Sequence, residues 1–538
     1  MAATVGFRSH ESTRRADTVR GARSRKRPPP LARLHARGLG ASGARLRPAR
    51  PNGRVFFVSS GEHVLGIDEG TTGVRAAVVH AGGEVVGQAY LEVGQAFPQP
   101  GWVEHDPNEV WARTREVVAR ALASAGREPG DIGAIGITNQ RGSGALFDAS
   151  GRARGPIIGW QDQRTTARCE ALLAEGIFVI PMSAGSKYEW LVQNHAGDTP
   201  RDQLRVGTVE TWLAYCLSGG SVHASDHSNL SVSGIYDFLT GEWDENNLKA
   251  LGLEPGWLPE RVPSSAVLGE TARTAFGAEV PIASLSGDQH ASMYALACHR
   301  EGDIKLTLGT SGMLDKNGGR ALGPSPEGSY PLVLWCLDDQ RTFCFEAAVI
   351  TAGATAQWLR DGLGLVTDLS DLEALARSVD SSDGVWMVPA LQGLGSPHLD
   401  TGTRGLIGGV SRATTRAHVA RAALDGIAWR AAEAFAALAG DTPPDSLRVD
   451  GGAAGNELLL ELLADATGVV VESPAVLDSA VVGAAYLAGR ATGLWSDDDV
   501  VARWSAGRTF EPRIGADERE TRREQWARRV ALVREAGA

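Results

Sequence analysis

From about residue 62 the chain alternates short apolar runs with amphipathic stretches, the pattern of an α/β fold. Val64 to Ile67 is apolar and stops at Asp68. A Gly- and Thr-rich turn follows, then a second apolar run from Val74 to Val79, so the segment predicts a hairpin. A third β-prone run extends from Glu84 to Val93. The next period predicts a helix from Pro107 to Ala125, with Asp106 as its N-cap and Pro107 in the first position. Ile132 to Thr138 reads as a buried strand that delivers Asn139, Gln140 and Arg141 to its end. Pro156 to Gly159 likewise leads into Trp160, Gln161, Asp162, Gln163 and Arg164. Residues 165–260 read as helical and irregular. A strand from Ile282 to Ser286 then runs into Gly287, Asp288, Gln289 and His290, and a helix from about Ala291 to Cys298 closes the first half.

The second half opens like the first. Ile304 to Leu308, the turn Gly309-Thr310-Ser311-Gly312 and the return Met313-Leu314 predict another hairpin. A helix begins at Ala352-Gly353-Ala354, and a long one spans Arg416 to Ala439 with Gly440 placed to end it. A strand from Ser446 to Asp450 precedes Gly451-Gly452-Ala453-Ala454-Gly455-Asn456, which opens a helix over Glu457 to Thr467. The tail after Trp495 reads as charged, helical and peripheral.

The chemistry concentrates in the turns. Gly70, Thr71, Thr72 and Gly73 bring backbone N–H groups and hydroxyls to one point, which suits phosphate oxygens. Asp68 beside them suits Mg²⁺, which favours a carboxylate together with substrate phosphate. Alone, this is equally an ordinary hairpin with a polar tip. The repeat at Thr310 points to a duplicated scaffold with a nucleotide held between its halves. Glycines between a strand and a helix N-terminus, as at Gly451 to Gly455, suit a closely packed nucleotide.

Composition narrows the classes. The 538 residues are 43% hydrophobic and 22% charged, as in globular proteins, and suffice for two large domains. No apolar run is long enough to span a bilayer. Five cysteines with no CxxC pair argue against a disulfide framework or a structural zinc site and for a reducing compartment, the cytoplasm. Residues 1–54 carry a net charge of +12, leaving −23 for the rest, and so acidic a body argues against a nucleic-acid partner. The basic segment reads as a transit peptide, a basic tail or translation from a wrongly assigned start, and in each case as disordered. No GxxxxGK[ST] or HExxH is present. Among the scattered histidines, His105 and His290 read as structural.

Several ordered blocks between Val64 and Trp495 resemble the FGGY carbohydrate kinases, and within them the glycerol kinases. They include Gly66-Ile67-Asp68-Glu69-Gly70-Thr71-Thr72, Gly101 to Pro107, Gly136 to Arg141, Gly207 to Leu213, Ala352 to Asp361, and Arg448 to Ala453. A C-terminal signature from Gly405 through His418 to Asp425 belongs with them. The resemblance implies two actin-like, ribonuclease H-like α/β domains around an ATP cleft. These would be an N-terminal domain over 62–298 and a nucleotide-binding domain over 299–500, flanked by a basic leader over 1–61 and a peripheral helical tail over 501–538. It implies Asp288 as catalytic base; Arg141, Trp160 and Gln289 as further substrate contacts; and Asp68 as the Mg²⁺ ligand. Thr71, Thr72, Arg75, Thr310, Gly353, Gln357, Gly452 and Asn456 would serve ATP. Dimers and tetramers occur in such families.

The substrate pocket departs from the glycerol kinase pattern. A glutamate that grips hydroxyls after the Asn-Gln-Arg arginine is Gly142, a tyrosine matches Met182, and an aromatic matches Met313. The expected activity is phosphorylation of a primary hydroxyl of glycerol or a related polyol or sugar. The alternatives are a kinase for a larger sugar such as a pentulose, fitting space opened at Gly142, and a nucleotide-binding pseudokinase.

Overall fold

The computed structural model describes residues 61–537, so the expectations placed on the basic leader lie outside the described residues. Two mixed sheets carry the fold. The first has six strands in the order Ser265–Glu270, Pro281–Gly287, Ile132–Asn139, His63–Glu69, Gly73–His80 and Val85–Glu92. His63–Glu69 pairs antiparallel with Gly73–His80 and parallel with Ile132–Asn139. The second has seven strands in the order Tyr330–Leu337, Gln340–Val349, Gly312–Gly319, Ile304–Leu308, Ser446–Asp450, Val470–Ser473 and Arg508–Phe510. At its centre the same unit recurs, with Ile304–Leu308 antiparallel to Gly312–Gly319 and parallel to Ser446–Asp450.

Strand alternation explains the burial. In His63–Glu69, Leu65 and Ile67 face a core shared with Val110, Val117 and Ala121 of the helix Pro107–Ala125. Val64, on the opposite face, joins Ala485, Leu487 and Ala488 of the helix Ser479–Thr492. Covered on both faces, the strand is a nearly continuous apolar run. Side chains at Gly66 and Gly136 would run into the carbonyls of Val481 and Ala484, so these glycines let the helix lie directly on the sheet. A helix late in the sequence thus packs on the first sheet.

The helices Pro107–Ala125, Arg416–Ala439 and Glu457–Thr467 and the strand Ser446–Asp450 form as their periodicity predicts, and Asp106 accepts from the Asn108 N–H as a cap. Other expectations need correction. The helix after the Asp288 strand is Asp288–Ala295, three residues earlier than expected, because Asp288 itself starts it. The return strand after Thr310 extends to Gly319. Tyr330–Leu337 and Gln340–Val349 form a hairpin that the pattern reading did not assign. Its two-residue turn is Asp338-Asp339, both at positive φ (50° and 61°), a tight-hairpin geometry without the usual glycine. The tail beyond Trp495 is not wholly helical and not peripheral. Arg508–Phe510 extends the second sheet by pairing with Val470–Ser473, and Trp526, Val530 and Val533 are buried against Val388, Ala390 and Leu394.

Candidate active site

The first hairpin turn is closed by the Gly70 N–H donating to the Gly73 carbonyl at 2.9 Å. Trp160 Nε1–H donates to Thr71 Oγ1 at 3.1 Å, which ties the Trp160 indole to the turn. Thr72 is exposed at the tip. Arg75, opposite Asp68 in the strand register, pairs with Asp478 at 2.7 Å and lies 4.9 Å from the centre of the Tyr90 ring. Beneath the turn, Gln140 Nε2 donates to Glu69 at 3.2 Å, and Thr138 Oγ1 donates to the Ser286 carbonyl at 3.0 Å. Adjacent strand ends are stitched together by these bonds.

Asp288 is the first residue of its helix, immediately after a fully buried strand. Its Oδ1 lies 3.5 Å from Arg141 Nε and accepts from the Gln289 N–H at 2.8 Å. The Arg141 side chain lies over Gly287 so closely that a side chain there would collide with it. Arg141 also makes a short charged hydrogen bond to Glu346 of the second sheet. Burial opposes its charge, but Glu346 and Asp288 outweigh that and hold the guanidinium charged. Burial raises the Asp288 carboxyl, with Arg141 and then the Gln289 N–H pulling it back down. Lys305, fully buried, donates from Nζ to Gln289 Oε1 at 2.8 Å and pairs with Asp315 at 3.1 Å. Gln289 therefore presents its NH₂ as the available half of the amide.

Asp68 fits a divalent cation. Its Oδ1 is buried with no hydrogen-bond partner among the described residues. Burial, then the nearby Asp288 charge, pushes its carboxyl up to about 7, against the pull of Arg75. A bound cation would relieve both effects. His290, Asp315 and Cys344 also converge within 4.8 Å, but Lys305 and Arg141 already bring two cations to that pocket. Burial and those cations hold His290 far below the usual imidazole range, as expected of a structural, neutral ring.

The second turn is seated on a helix start. The Thr310 carbonyl accepts from the Ala352 and Ala354 N–H groups at 3.2 and 2.9 Å, leaving its side chain exposed. The Gly353 N–H is already bonded to the Gly309 carbonyl at 3.0 Å, and a side chain at Gly353 would strike that carbonyl. Gly353 thus serves close packing of the turn. Gln357, one turn further, is exposed. Gly452 faces open space, with nothing within 4 Å of where a Cβ would stand. Asn456 Oδ1 accepts from the Leu459 N–H at 2.9 Å and caps its helix, leaving Nδ2. Asp450 links the halves, since Ser292 and Thr307 each donate a hydroxyl hydrogen bond to it at 2.6 Å.

Direct contacts thus gather Thr71 with Trp160, and Asp288 with Arg141 and Gln289. Thr310 and Gly353 form a separate cluster, and Gly452 and Asn456 flank the short 3-10 turn Gly452–Gly455 without a direct contact between them among the described residues. Lys305, Glu346, Asp450 and Asp478 were missed by the sequence reading. Lys305 and Asp315 left a signal, as charged residues on strand positions that register opposite each other. At Gly142 an expectation fails. The Met182 main-chain oxygen would overlap a Cβ at Gly142, so the position vacated by a side chain is not empty.

The N-terminal domain model of the FGGY family of carbohydrate kinases matches residues 63–295, and its C-terminal domain model matches 304–492. The chain is 41% identical over 494 residues to the glycerol kinase of Deinococcus radiodurans, covering 89% of this chain and 99% of that one. It is 42% identical over 496 residues to that of Bordetella parapertussis, covering 88% and 98%. The fold matches a crystal structure of Plasmodium falciparum glycerol kinase with ADP at a TM-score of 0.80, with 25% identity over 88% of this chain and 98% of that one. It matches a Brucella ovis structure titled as a xyloylose kinase at 0.77, with 26% identity over 88% and 99%. The chain belongs to the FGGY family of carbohydrate kinases.

Proposed function

We propose that the protein transfers the γ-phosphoryl group of ATP to a primary hydroxyl of glycerol. The observation that carries this is Asp288, a strand-end carboxylate raised by burial and flanked by Arg141 and the oriented amide of Gln289. Asp288 accepts the proton of the attacking hydroxyl, the hydroxyl oxygen bonds to the γ-phosphorus, and the bond to the β-phosphate oxygen breaks to leave ADP. Arg141 and the Gln289 NH₂ donate to polyol oxygens and orient them. Arg75, Thr71, Thr72 and Thr310 supply donors for phosphate oxygens, while the open face at Gly452 and the Asn456 amide border the nucleotide. Mg²⁺ held by Asp68 would neutralise phosphate charge.

Glycerol as acceptor rests on relatives of that name matched over nearly their whole length. The larger-sugar alternative loses its support at Gly142, where the Met182 main-chain oxygen stands in the vacated position. Among the described residues none of the five cysteines forms a disulfide and four are buried, which supports a reducing cytoplasmic setting. The test is coupled ADP release by the full chain with Mg·ATP and glycerol, dihydroxyacetone, erythritol, xylulose, ribulose or gluconate, against a substrate-free blank. Turnover on glycerol above all others is expected. Turnover only on a pentulose would replace the substrate, and ATP binding without turnover on any of them would leave a pseudokinase.

A further inference from the structure

Gly142 follows Arg141 in the chain and lies against Trp160, and its conformation sets what can line the pocket there. Its φ is +76°, a region side chains rarely adopt. A Cβ at Gly142 would overlap the main-chain oxygen of Met182 and stand 3.6 Å from the Trp160 Cβ. The Met182 carbonyl therefore occupies the place where a side chain at 142 would begin. Among the described residues no N–H or O–H donates to that oxygen, whereas both its neighbours are committed. Lys187 Nζ donates to the Pro181 carbonyl at 2.7 Å and approaches the Ser183 carbonyl at 3.4 Å. Lys187 is wholly buried, and its Nζ–H groups hold the main chain on either side of Met182.

The donor balance of the pocket shows what this oxygen is for. Arg141 offers only donors, Gln289 offers its NH₂, and Asp288 is reserved for the reacting hydroxyl. Glu346 Oε2 accepts from Arg141 on the side of the second sheet. A second substrate hydroxyl bound through its oxygen by Arg141 still needs an acceptor for its own proton. We propose that the Met182 main-chain oxygen is that acceptor, admitted by Gly142 and positioned by Lys187. The inference rests on the polyol kinase reading and makes hydroxyl recognition on this wall a main-chain property.

The experiment compares kcat and KM of the full-length protein, Gly142→Ala and Lys187→Met on glycerol, 1,2-propanediol and 1,3-propanediol. In Gly142→Ala the new methyl displaces the carbonyl, and in Lys187→Met the hold on the main chain is lost while side-chain bulk is kept. Each variant is expected to raise the glycerol KM about tenfold, with kcat and the KM for ATP nearly unchanged. The penalty is expected to vanish for the diol lacking the hydroxyl concerned. An unchanged glycerol KM in both variants overturns the assignment, as does an equal rise for glycerol and both diols, or a loss confined to kcat. A wild-type protein that binds ATP but turns over no glycerol overturns the polyol reading, and this assignment with it.

Discussion

Lys305 Nζ donates to Gln289 Oε1 at 2.8 Å while pairing with Asp315 at 3.1 Å, so one buried ammonium both orients a pocket amide and neutralises a buried acid. The two roles separate by mutation. Lys305→Met is expected to lower kcat/KM for the polyol about tenfold and to lower Tm, because Asp315 is left buried without its cation. Adding Asp315→Leu should restore Tm without restoring kcat/KM. Recovery of both together would show that Lys305 acts only through folding.

Asp288→Asn keeps the shape of the site and removes the carboxylate proposed as proton acceptor. We predict a fall in kcat of about a hundredfold or more, with ADP and ATP affinity little changed in equilibrium titrations. Because burial raises the Asp288 carboxyl, wild-type kcat/KM should decline as pH falls through that raised pKa. Near-normal turnover in the variant would remove Asp288 from the mechanism.

Asp68 makes a prediction about stability. Its carboxyl is pushed up to about 7, chiefly by burial and then by Asp288. Between about pH 4 and 7 the folded state therefore binds more protons than the unfolded chain, and stability falls as pH rises through that window. In metal-free buffer Asp68→Asn should match wild type near pH 4 and exceed its Tm above pH 7. Mg²⁺ should then raise the Tm of wild type and not of the variant. Equal responses to Mg²⁺ would place the cation elsewhere.

The Arg75–Asp478 pair is partly exposed, so its contribution to stability is small, about 0–1 kcal/mol. Arg75→Ala is expected to leave Tm within experimental scatter and to raise the KM for ATP several-fold, with the glycerol KM unchanged. A large loss of Tm with an unchanged KM for ATP would assign Arg75 to the fold and not to phosphate.

Much of the scaffold was legible because its signals are local. Asp106 and Pro107 mark a helix start, and Gly440 a helix end, through the sterics and orphan backbone groups of a few neighbouring residues. The Tyr330–Val349 segment escaped because its turn is Asp338-Asp339 and carries no glycine. Trp526 escaped because its helix is charged along most of its length and buries only a narrow apolar stripe. In the candidate site, Asp68 and Thr310 stood out because each sits at a strand end or in a Gly- and Thr-rich turn. Asp288, Gly353 and Asn456 were reached through the family resemblance, and the Gly353 N–H and the Asn456 side-chain oxygen are used in packing and capping.

By itself the sequence determined the two hairpins, the strand ends that carry acids, and the family. The hairpins and strand ends follow from periodicity and turn sterics within windows of about ten residues, and the family from the resemblance carried by several ordered residue blocks. The tertiary structure alone decided that Arg141 meets Glu346, that Arg75 meets Asp478, and that the Met182 main-chain oxygen lies against Gly142. These partners lie 205, 403 and 40 positions apart in the chain, and their meeting depends on how separate sheets, helices and loops pack. No local pattern encodes that packing, because its specificity resides in the summed burial of whole faces.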